Sequence, residues 1–366
     1  MSIRVAAFMS TVEASGPARQ FAAVAGELRR LGVEVTALCV MSPGAETTPF
    51  SELLRFHGVP YVVVHTDGRL NLTLVRKIER ALASIGPNIV QSHSYRPAFI
   101  FWMLRRKNPT WKWVGFFHGQ THEDWKVRVY NALDRWFLQR TDHTVVVARA
   151  QLRRFPRARA VSHIANAVLP VVATDSVTTP VLDRDPSRRR IGIIGRLSHE
   201  KGVDVLLRAV ALKAHDLTDC DVIIAGDGPA ADTLKQLAGE LGVTRQVQFI
   251  GPVSRVDLLY PALDLVVLAS RTEGMPNVLL EAAHYDVPMV ATNVGDVAEI
   301  LTDPHAGTVV PPEDPTALAA AMVAALAIGR TADGTAARAA IRERFSLETR
   351  ARSHAQLYRQ LTGVAA

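Results

Sequence analysis

The chain has 366 residues, of which 48% are hydrophobic and 21% charged, with a formal net charge of +7. That length accommodates two α/β domains of about 100 to 200 residues each, and no apolar stretch approaches the roughly 20 residues that a membrane-spanning helix requires. The two cysteines, Cys39 and Cys220, fall in or beside predicted strands of different domains, which argues against a disulfide framework and for buried thiols; no histidine or cysteine cluster has the spacing of metal ligands.

The first half alternates strand and helix as a doubly wound sheet requires. Met1 to Phe8 lead directly into a strand, and a cytoplasmic protein is expected. Strands are predicted at Arg4–Met9, Glu34–Val40, Tyr61–His65, Asn88–His93, Trp113–His118, Thr144–Ala148 and Ala160–Ile164. Helical patterns cover Ala18–Leu31, Leu72–Ala83 and Asp124–Arg140. Ligands of such sheets gather at the carboxyl ends of the strands. Gly16 stands in the first strand-to-helix loop, and His93 and His118 each end a strand. A histidine there can donate to a ligand oxygen, and its titration range suits proton handling, although a lone strand-end histidine is more often structural.

Charge divides the chain unevenly. Residues 1–180 carry 23 Lys and Arg against 12 Asp and Glu, a net of +11, whereas residues 181–366 carry 19 against 23, a net of −4. Much of the basic charge lies beside aromatics: Phe99, Phe101 and Trp102, then Arg105, Arg106 and Lys107, then Trp111, Lys112 and Trp113. Such a mixture binds anionic membrane faces or acidic acceptors, and Phe99 to Trp102 equally reads as the core of a helix. No nucleic-acid-reading module is identifiable. A link containing Thr178-Thr-Pro180, Asp185-Pro186 and Arg188-Arg-Arg190 separates predicted domains at 1–180 and 190–345.

In the second half, Arg190 to Gly195 is an apolar strand, and Arg196 and Lys201 follow it in the loop before a helix that starts near Val203. Two cations at a strand's carboxyl end neutralise a diphosphate, arginine through a planar fork and lysine as a point charge; a solvated basic loop is the alternative. Val222 to Gly226 is a second buried strand, whose exit Gly226-Asp-Gly228-Pro229 permits a tight turn, so these glycines are expected to be scaffold. Leu265 to Ser270, then Glu273-Gly-Met-Pro-Asn-Val-Leu-Leu-Glu281, then Val287 to Thr292 read strand, loop, helix, strand.

A helix starting near Pro276 or Asn277 turns unpaired N–H groups and the positive end of its dipole toward the loop, which favours an anion. Pro276 suits a first-turn position, and Gly274 allows close backbone approach. Glu281, about one turn in, is near enough to bond hydroxyls on whatever carries the phosphate, and Glu273 faces its other end. Two acceptors flanking a phosphate cradle describe a nucleotide-sugar, whereas an isolated pair at this spacing is more often solvated surface. An Ala-rich helical stretch covers Thr316 to Ala327, and the tail from Phe345 to Leu361 is helical.

The segment Glu273 to Glu281 resembles the donor-site signature of the family 4 glycosyltransferases, retaining enzymes of the GT-B fold. Ile191-Gly-Ile-Ile-Gly195-Arg196-Leu-Ser-His-Glu-Lys201-Gly202, Val222-Ile-Ile-Ala-Gly226-Asp-Gly228-Pro229 and Val247-Gln-Phe-Ile-Gly251 are similar to further patterns of that family, in its order. The resemblance implies two Rossmann-like doubly wound domains facing each other across a cleft, acceptor side first, with the last helix crossing back onto the first domain. It implies sugar transfer from a nucleotide diphosphate sugar, UDP- or GDP-linked, to an acceptor hydroxyl without a metal or other cofactor; the basic, aromatic first half leans toward a saccharide or lipid-linked acceptor, as in cell-envelope or exopolysaccharide assembly, at the cytoplasmic face of the inner membrane.

It further implies that Arg196, Lys201 and the amides near Val278 and Leu279 hold the leaving diphosphate, and that His118 contacts the donor. Glu273 would orient the donor sugar and stabilise charge at its anomeric carbon, and Glu281 would bind ribose. Gly16, Gly274, Met275, Pro276 and Asn277 would line the donor, with the turn from Pro252 to Arg255 near the base. The chain departs from the family in two places: Gly16 is the one recognisable glycine of a usual pair, and His163-Ile-Ala-Asn166 replaces a Pro-Asn-Gly turn, so no chemistry is assigned to Asn166. A nucleotide-sugar epimerase of the same architecture and a non-catalytic nucleotide-sugar binding protein are the competing classes.

Overall fold

The structure, a computed structural model, describes residues 2–67, 70–107, 110–118, 125–169, 187–253 and 255–364, without the side chains of 125–127. The chain divides into two units, Met1–Ala167 with Ser346–Ala366, and Val168–Phe345. The predicted link residues Thr178 to Pro186 and the predicted helix start Asp124 lie outside the described residues.

In the first unit the chain runs β1 (Arg4–Met9), α1 (Gly16–Arg30), β2 (Glu34–Met41), α2 (Pro49–Phe56), β3 (Tyr61–His65), α3 (Leu72–Ile85), β4 (Ile89–His93), α4 (Tyr95–Leu104), β5 (Lys112–Phe117), α5 (Trp125–Leu138), β6 (His143–Val146) and β7 (Val161–His163). The second unit continues with β8 (Arg189–Ile194), α6 (Val203–Leu212), β9 (Cys220–Ala225), α7 (Ala231–Glu240), β10 (Val247–Gly251), α8 (Val256–Leu259), β11 (Leu265–Leu268), α9 (Asn277–His284), β12 (Met289–Thr292), α10 (Val297–Ile300), β13 (Gly307–Val310), α11 (Pro315–Ile328) and α12 (Ala332–Arg344), after which α13 (Leu347–Thr362) returns to the first unit.

Each unit is a parallel sheet wound on both sides. The strand orders are β3-β2-β1-β4-β5-β6-β7 and β10-β9-β8-β11-β12-β13. Apolar runs such as Val5 to Met9 and Val222 to Ala225 are buried on both faces, as strands covered by helices on both sides must be. Strand order reverses between β1 and β4 and again between β8 and β11, so each sheet has one switch point at which the loops leave in opposite directions and open a crevice.

One helix of the first unit, α2, escapes the sequence pattern, and α4 bears out the reading of Phe99 to Trp102 as helix core. Helix α2 follows a Ser-Pro-Gly stretch, and its start is a capping box in which Thr48 Oγ1 accepts from Ser51 N at 3.1 Å while Ser51 Oγ accepts from Thr48 N at 2.8 Å. Helix α4 contains Phe99 to Trp102, and Ile100 and Phe101 are buried in the core. Of the expected basic and aromatic surface, Trp113 is also core, donating Nε1–H to Ser92 Oγ at 2.9 Å, because it lies inside β5. Trp102 of that expected surface is exposed, and further exposed aromatics lie on α5 at Tyr130 and Trp136, with Val129 and Leu133 on the same helix. Both cysteines are buried, and burial pushes the Cys39 thiol up and that of Cys220 up to about 11. Among the described residues, no single helix is long and apolar enough to cross a membrane.

Helix α13 joins the first unit through one hydrophobic core, in which Ala351, Ala355, Leu357 and Tyr358 cluster with Phe21, Ala22, Ala25 and Leu28 of α1. Its start is capped by Ser346 Oγ, which accepts from Thr349 N at 3.2 Å. Leu357→Ala should therefore destabilise the first unit by about 2 to 4 kcal/mol, read as a lower denaturant midpoint with an unchanged slope; a loss below about 0.5 kcal/mol, the range of ordinary surface substitutions, would contradict the docking of α13.

Candidate functional site

The switch point of the second sheet gathers most of the residues that the sequence singles out. The loop after β8 carries Gly195, Arg196 and Lys201, and the loop after β11 carries Ser270, Arg271, Glu273 and Gly274 before α9 begins. These loops touch through backbone. Gly202, at φ 62°, stands where a Cβ would lie 2.0 Å from Ala269 O, and at Gly226 a Cβ would lie 1.8 Å from Gly195 O. Gly226 is thus scaffold, as expected, and the reason is close approach to the β8 exit.

Charged groups tie the same loops together. Lys201 Nζ donates to Glu273 Oε1 at 2.7 Å, and Ser270 Oγ donates to the same oxygen at 2.7 Å. The sequence assigns Lys201 and Glu273 to different parts of a ligand; in the structure they are an ion pair, because the crossing of the loops leaves no gap between them. An ammonium has three donors, so Lys201 keeps capacity for a second acceptor. Arg271, which the sequence does not single out, forks onto Asp204 with two bonds of 2.7 Å, donates to His199 O at 2.7 Å and also pairs with Glu313. Its own N–H donates to Glu200 O at 2.8 Å. Arg196 is exposed, as is His199. Ser198, by contrast, is buried with a hydroxyl that finds no partner among the described residues.

Helix α9 starts one residue later than a first-turn Pro276 would require: Pro276 is its cap residue, and no side chain caps it. The first turn holds no acidic residue, so its dipole is not neutralised there. Val278 N lies in that first turn, but Leu279 N already donates to Pro276 O at 3.3 Å, which corrects the expectation that its amide faces a ligand. Met275 and Pro276 are buried and Asn277 is half-buried. Beneath them Gly295, at φ 57°, packs where a Cβ would lie 2.3 Å from Gly274 O, and Asp296 N donates to that oxygen at 2.9 Å. The Gly-Asp pair after β12 was the available signal for this support.

Glu281 lies one turn into α9, where its Oε2 accepts from Tyr260 OH at 2.6 Å. Tyr260 is fully buried, stacks on Tyr285 with ring centroids 5.5 Å apart, and has its hydroxyl pKa held well above the usual value by burial and by Glu281. It therefore positions one edge of the carboxylate, a contact that no local pattern reveals. The Pro252 to Arg255 turn is described except for residue 254; Gly251 O accepts from Gly226 N at 2.8 Å and Arg255 pairs with Asp257 at 2.7 Å.

His118 and Gly16 belong to the other unit. Gly16 is the first residue of α1 rather than part of the preceding loop, because Pro17 fits the first turn; no side chain caps that helix either. His118 follows β5, half-buried, with Nε2 2.7 Å from His93 Nδ1. His93 is buried, and Gln91 Nε2 approaches its Nε2 at 2.6 Å. Burial, with the Arg350 guanidinium second, lowers the His118 pKa to about 4; burial followed by His118, His354 and Arg350 holds His93 well below its ordinary value. Both rings are therefore neutral near pH 7. Arg350 of α13 is itself buried, donating to Asn166 Oδ1 at 3.0 Å and to Gln20. Asn166 is thus a core acceptor.

Two family models match the chain: Glycosyltransferase Family 4 over residues 14–168 and Glycosyl transferases group 1 over residues 188–327. The chain is similar to a D-inositol 3-phosphate glycosyltransferase of Mycolicibacterium gilvum, 37% identical over 43% of this chain and 36% of that protein. It is also similar to a lipopolysaccharide core biosynthesis mannosyltransferase of Rhizobium leguminosarum bv. viciae, 28% identical over 64% of this chain and 69% of the other. The match thus spans about a third of the first relative's length. In fold it is similar to HepE of Anabaena, solved in complex with UDP, with a TM-score of 0.78 at 18% identity, covering 98% of this chain and 100% of that one.

Arg271→Lys should cost about 1 to 2 kcal/mol at pH 7, because lysine cannot reproduce the fork onto Asp204. The Arg271 hydrogen bond is the largest cause holding the Asp204 carboxyl below its ordinary pKa. A depressed folded pKa stabilises fully above the unfolded value of about 3.9 and is lost as pH falls through the folded one. The wild-type advantage over the variant should therefore be flat above about pH 5 and shrink as the pH falls below about 4 in denaturant melts; an advantage that grows toward acid would refute the pair.

Proposed function

The chain belongs to the family 4 glycosyltransferases, with the GT-B fold, and on that premise we propose that it transfers a sugar from a nucleotide diphosphate sugar to an acceptor hydroxyl with retention of configuration. The observation that carries this reading is the Lys201–Glu273 ion pair at the switch point of the second sheet, beside the uncapped start of α9. A cation and a helix N-terminus there favour a diphosphate, and the carboxylate beside them favours a ring that gains positive charge. Likeness in fold to a protein solved with UDP supports the nucleotide, and similarity to a lipopolysaccharide core mannosyltransferase supports a cell-envelope saccharide or lipid-linked acceptor.

In this reading Arg196, Lys201 and the first-turn amide of Val278 hold the departing diphosphate. Negative charge builds on that group as the glycosidic bond breaks, so cations and fixed dipoles there lower the barrier without a metal. Glu273 orients the sugar and offsets charge at its anomeric carbon. Glu281, fixed by Tyr260, accepts from the ribose hydroxyls. Gly274, Met275, Pro276, Asn277 and Leu279 shape the donor pocket, Gly16 opens α1 beside the substrate, and His118 donates to a substrate oxygen. The two-carboxylate scheme of retaining hydrolases is not invoked; the diphosphate oxygen itself takes the acceptor proton as attack occurs on the same face. Exposed Trp102, Leu133 and Trp136, with Arg140 3.3 Å over the Trp136 ring, form a face suited to an anionic membrane surface.

The test is thermal stability with UDP, GDP, ADP and NAD for wild type and Glu281→Ala. A nucleoside diphosphate at 100 times its Kd should stabilise the wild type by about 2.7 kcal/mol, and the variant should lose most of that gain. Glu273→Gln should retain nucleotide binding while kcat falls about 10²- to 10³-fold. No response to any nucleoside diphosphate, or a response to NAD alone, would sink the transferase reading.

A further inference from the structure

The last helix of the chain reaches His118 through three intervening hydrogen bonds. Tyr358 OH donates to Gln91 Oε1 at 2.7 Å, Gln91 Nε2 faces His93 Nε2 at 2.6 Å, and His93 Nδ1 faces His118 Nε2 at 2.7 Å. Tyr358, Gln91 and His93 are all buried, so the first two links are shielded from bulk water. Stacking fixes the ring planes: His93 lies 4.7 Å from Phe116 and 5.0 Å from His118 by ring centroids, each pair tilted by 14°.

The chain has a direction set by which group owns each proton. Once the Tyr358 proton is given to Gln91 Oε1, the amide can offer only N–H to His93, whose Nε2 must accept. A neutral His93 then carries its proton on Nδ1 and donates it to His118 Nε2. His118 Nε2 becomes an acceptor, and its own proton lies on Nδ1. Among the described residues Nδ1 of His118 makes no hydrogen bond, and the ring is partly exposed. His354 Nδ1, 3.4 Å from Tyr358 OH, competes poorly with Gln91 for the tyrosine proton. Turning the Gln91 amide over would reverse every link and leave His118 Nδ1 a bare acceptor, so the proton order is chemically consequential.

We infer that Tyr358 is a positioning residue that acts through Gln91 and His93 to hold His118 in the tautomer protonated on Nδ1, so that His118 meets substrate as a hydrogen-bond donor and not as a base. The consequence for transfer rests on the proposed role of His118; the proton order does not. A C-terminal helix far along the sequence thereby sets the chemistry of a strand-end histidine in the same unit.

Nitrogen–proton correlation spectra of the imidazole groups in 15N-labelled full-length protein read the tautomer directly, with His93→Gln and His118→Gln assigning the signals. Wild type should show His118 protonated at Nδ1 and bare at Nε2. Tyr358→Phe removes the proton that orients Gln91, and the other His118 tautomer should then appear; Gln91→Met, which breaks the chain at its next link, should have the same effect if the phenylalanine variant folds poorly. Transfer in a folded variant should fall by the fraction that leaves the donor tautomer, about two-fold for an even mixture. Wild-type His118 protonated at Nε2, or a tautomer unmoved in both variants, would overturn the relay. A tautomer that moves while transfer stays unchanged would uphold the relay and overturn the role given to His118.

Discussion

The site of the second unit depends on backbone contact at its switch point. Gly202 against Ala269, Gly226 against Gly195 and Gly295 against Gly274 leave no room for a Cβ, so four loops, those after β8, β9, β11 and β12, stack main chain on main chain. Strand order dictates the stacking: β8 and β11 are neighbours in the sheet but belong to opposite windings, so their exits diverge at the rim while still touching at the base. Everything polar in the site follows from this. Lys201 reaches Glu273, and Arg271 reaches Asp204 and His199, because the loops that bear them cannot separate without losing that packing.

An ion pair in such a place has two uses. It holds the loops of the site in order, since removing one member of a partly buried pair leaves the other desolvated and uncompensated. It also leaves Lys201 with spare donors and Glu273 with an oxygen outside the two bonds at Oε1. Binding of an anion at Lys201 would thus add a partner without breaking the existing one. Arg271 differs from Lys201 in this respect, because its fork is committed to protein acceptors, so its part is to tether the loops.

The first unit solves a different problem. A buried arginine, three histidines, three amides and a tyrosine lie where α1 and α13 cover the sheet, and burial keeps the rings neutral while lowering the Arg350 pKa to about 10. Gln20, Asn166 and Gln91 satisfy most of the demand, although Arg350 Nε and His354 Nε2 find no partner among the described residues. A polar network inside a sheet-and-helix core stabilises little by itself, because each group gives up water for its partner. What it provides is a fixed geometry: α13 can dock in only one register that lets Tyr358 meet Gln91 and Arg350 meet Asn166.

Local sequence was enough for the strands and for most of the second site. The buried run Val5 to Met9 falls where periodicity puts a strand, because a strand covered on both faces must be apolar throughout; Tyr61 to His65 is also a strand as read, although it lies at the edge of its sheet with only Val64 buried. The short loop-to-helix spacing from Glu273 to Glu281 confines those groups to one rim of the sheet whatever the remainder does. Contacts between distant segments were not legible. Tyr260 with Glu281, Arg271 with Asp204, and the Tyr358 to His118 chain join residues 21, 67 and as many as 267 positions apart at a single link. Nor could local pattern say that Trp113 is core and Trp136 surface, since both are aromatic beside a charge and only the packing of β5 and α5 separates them. The sequence by itself determined the alternation of elements and the chemistry offered at one sheet edge, because both follow from neighbours along the chain; the pairing of charges and the order of protons were decided by tertiary structure, because they depend on which distant backbones the glycines allow to touch.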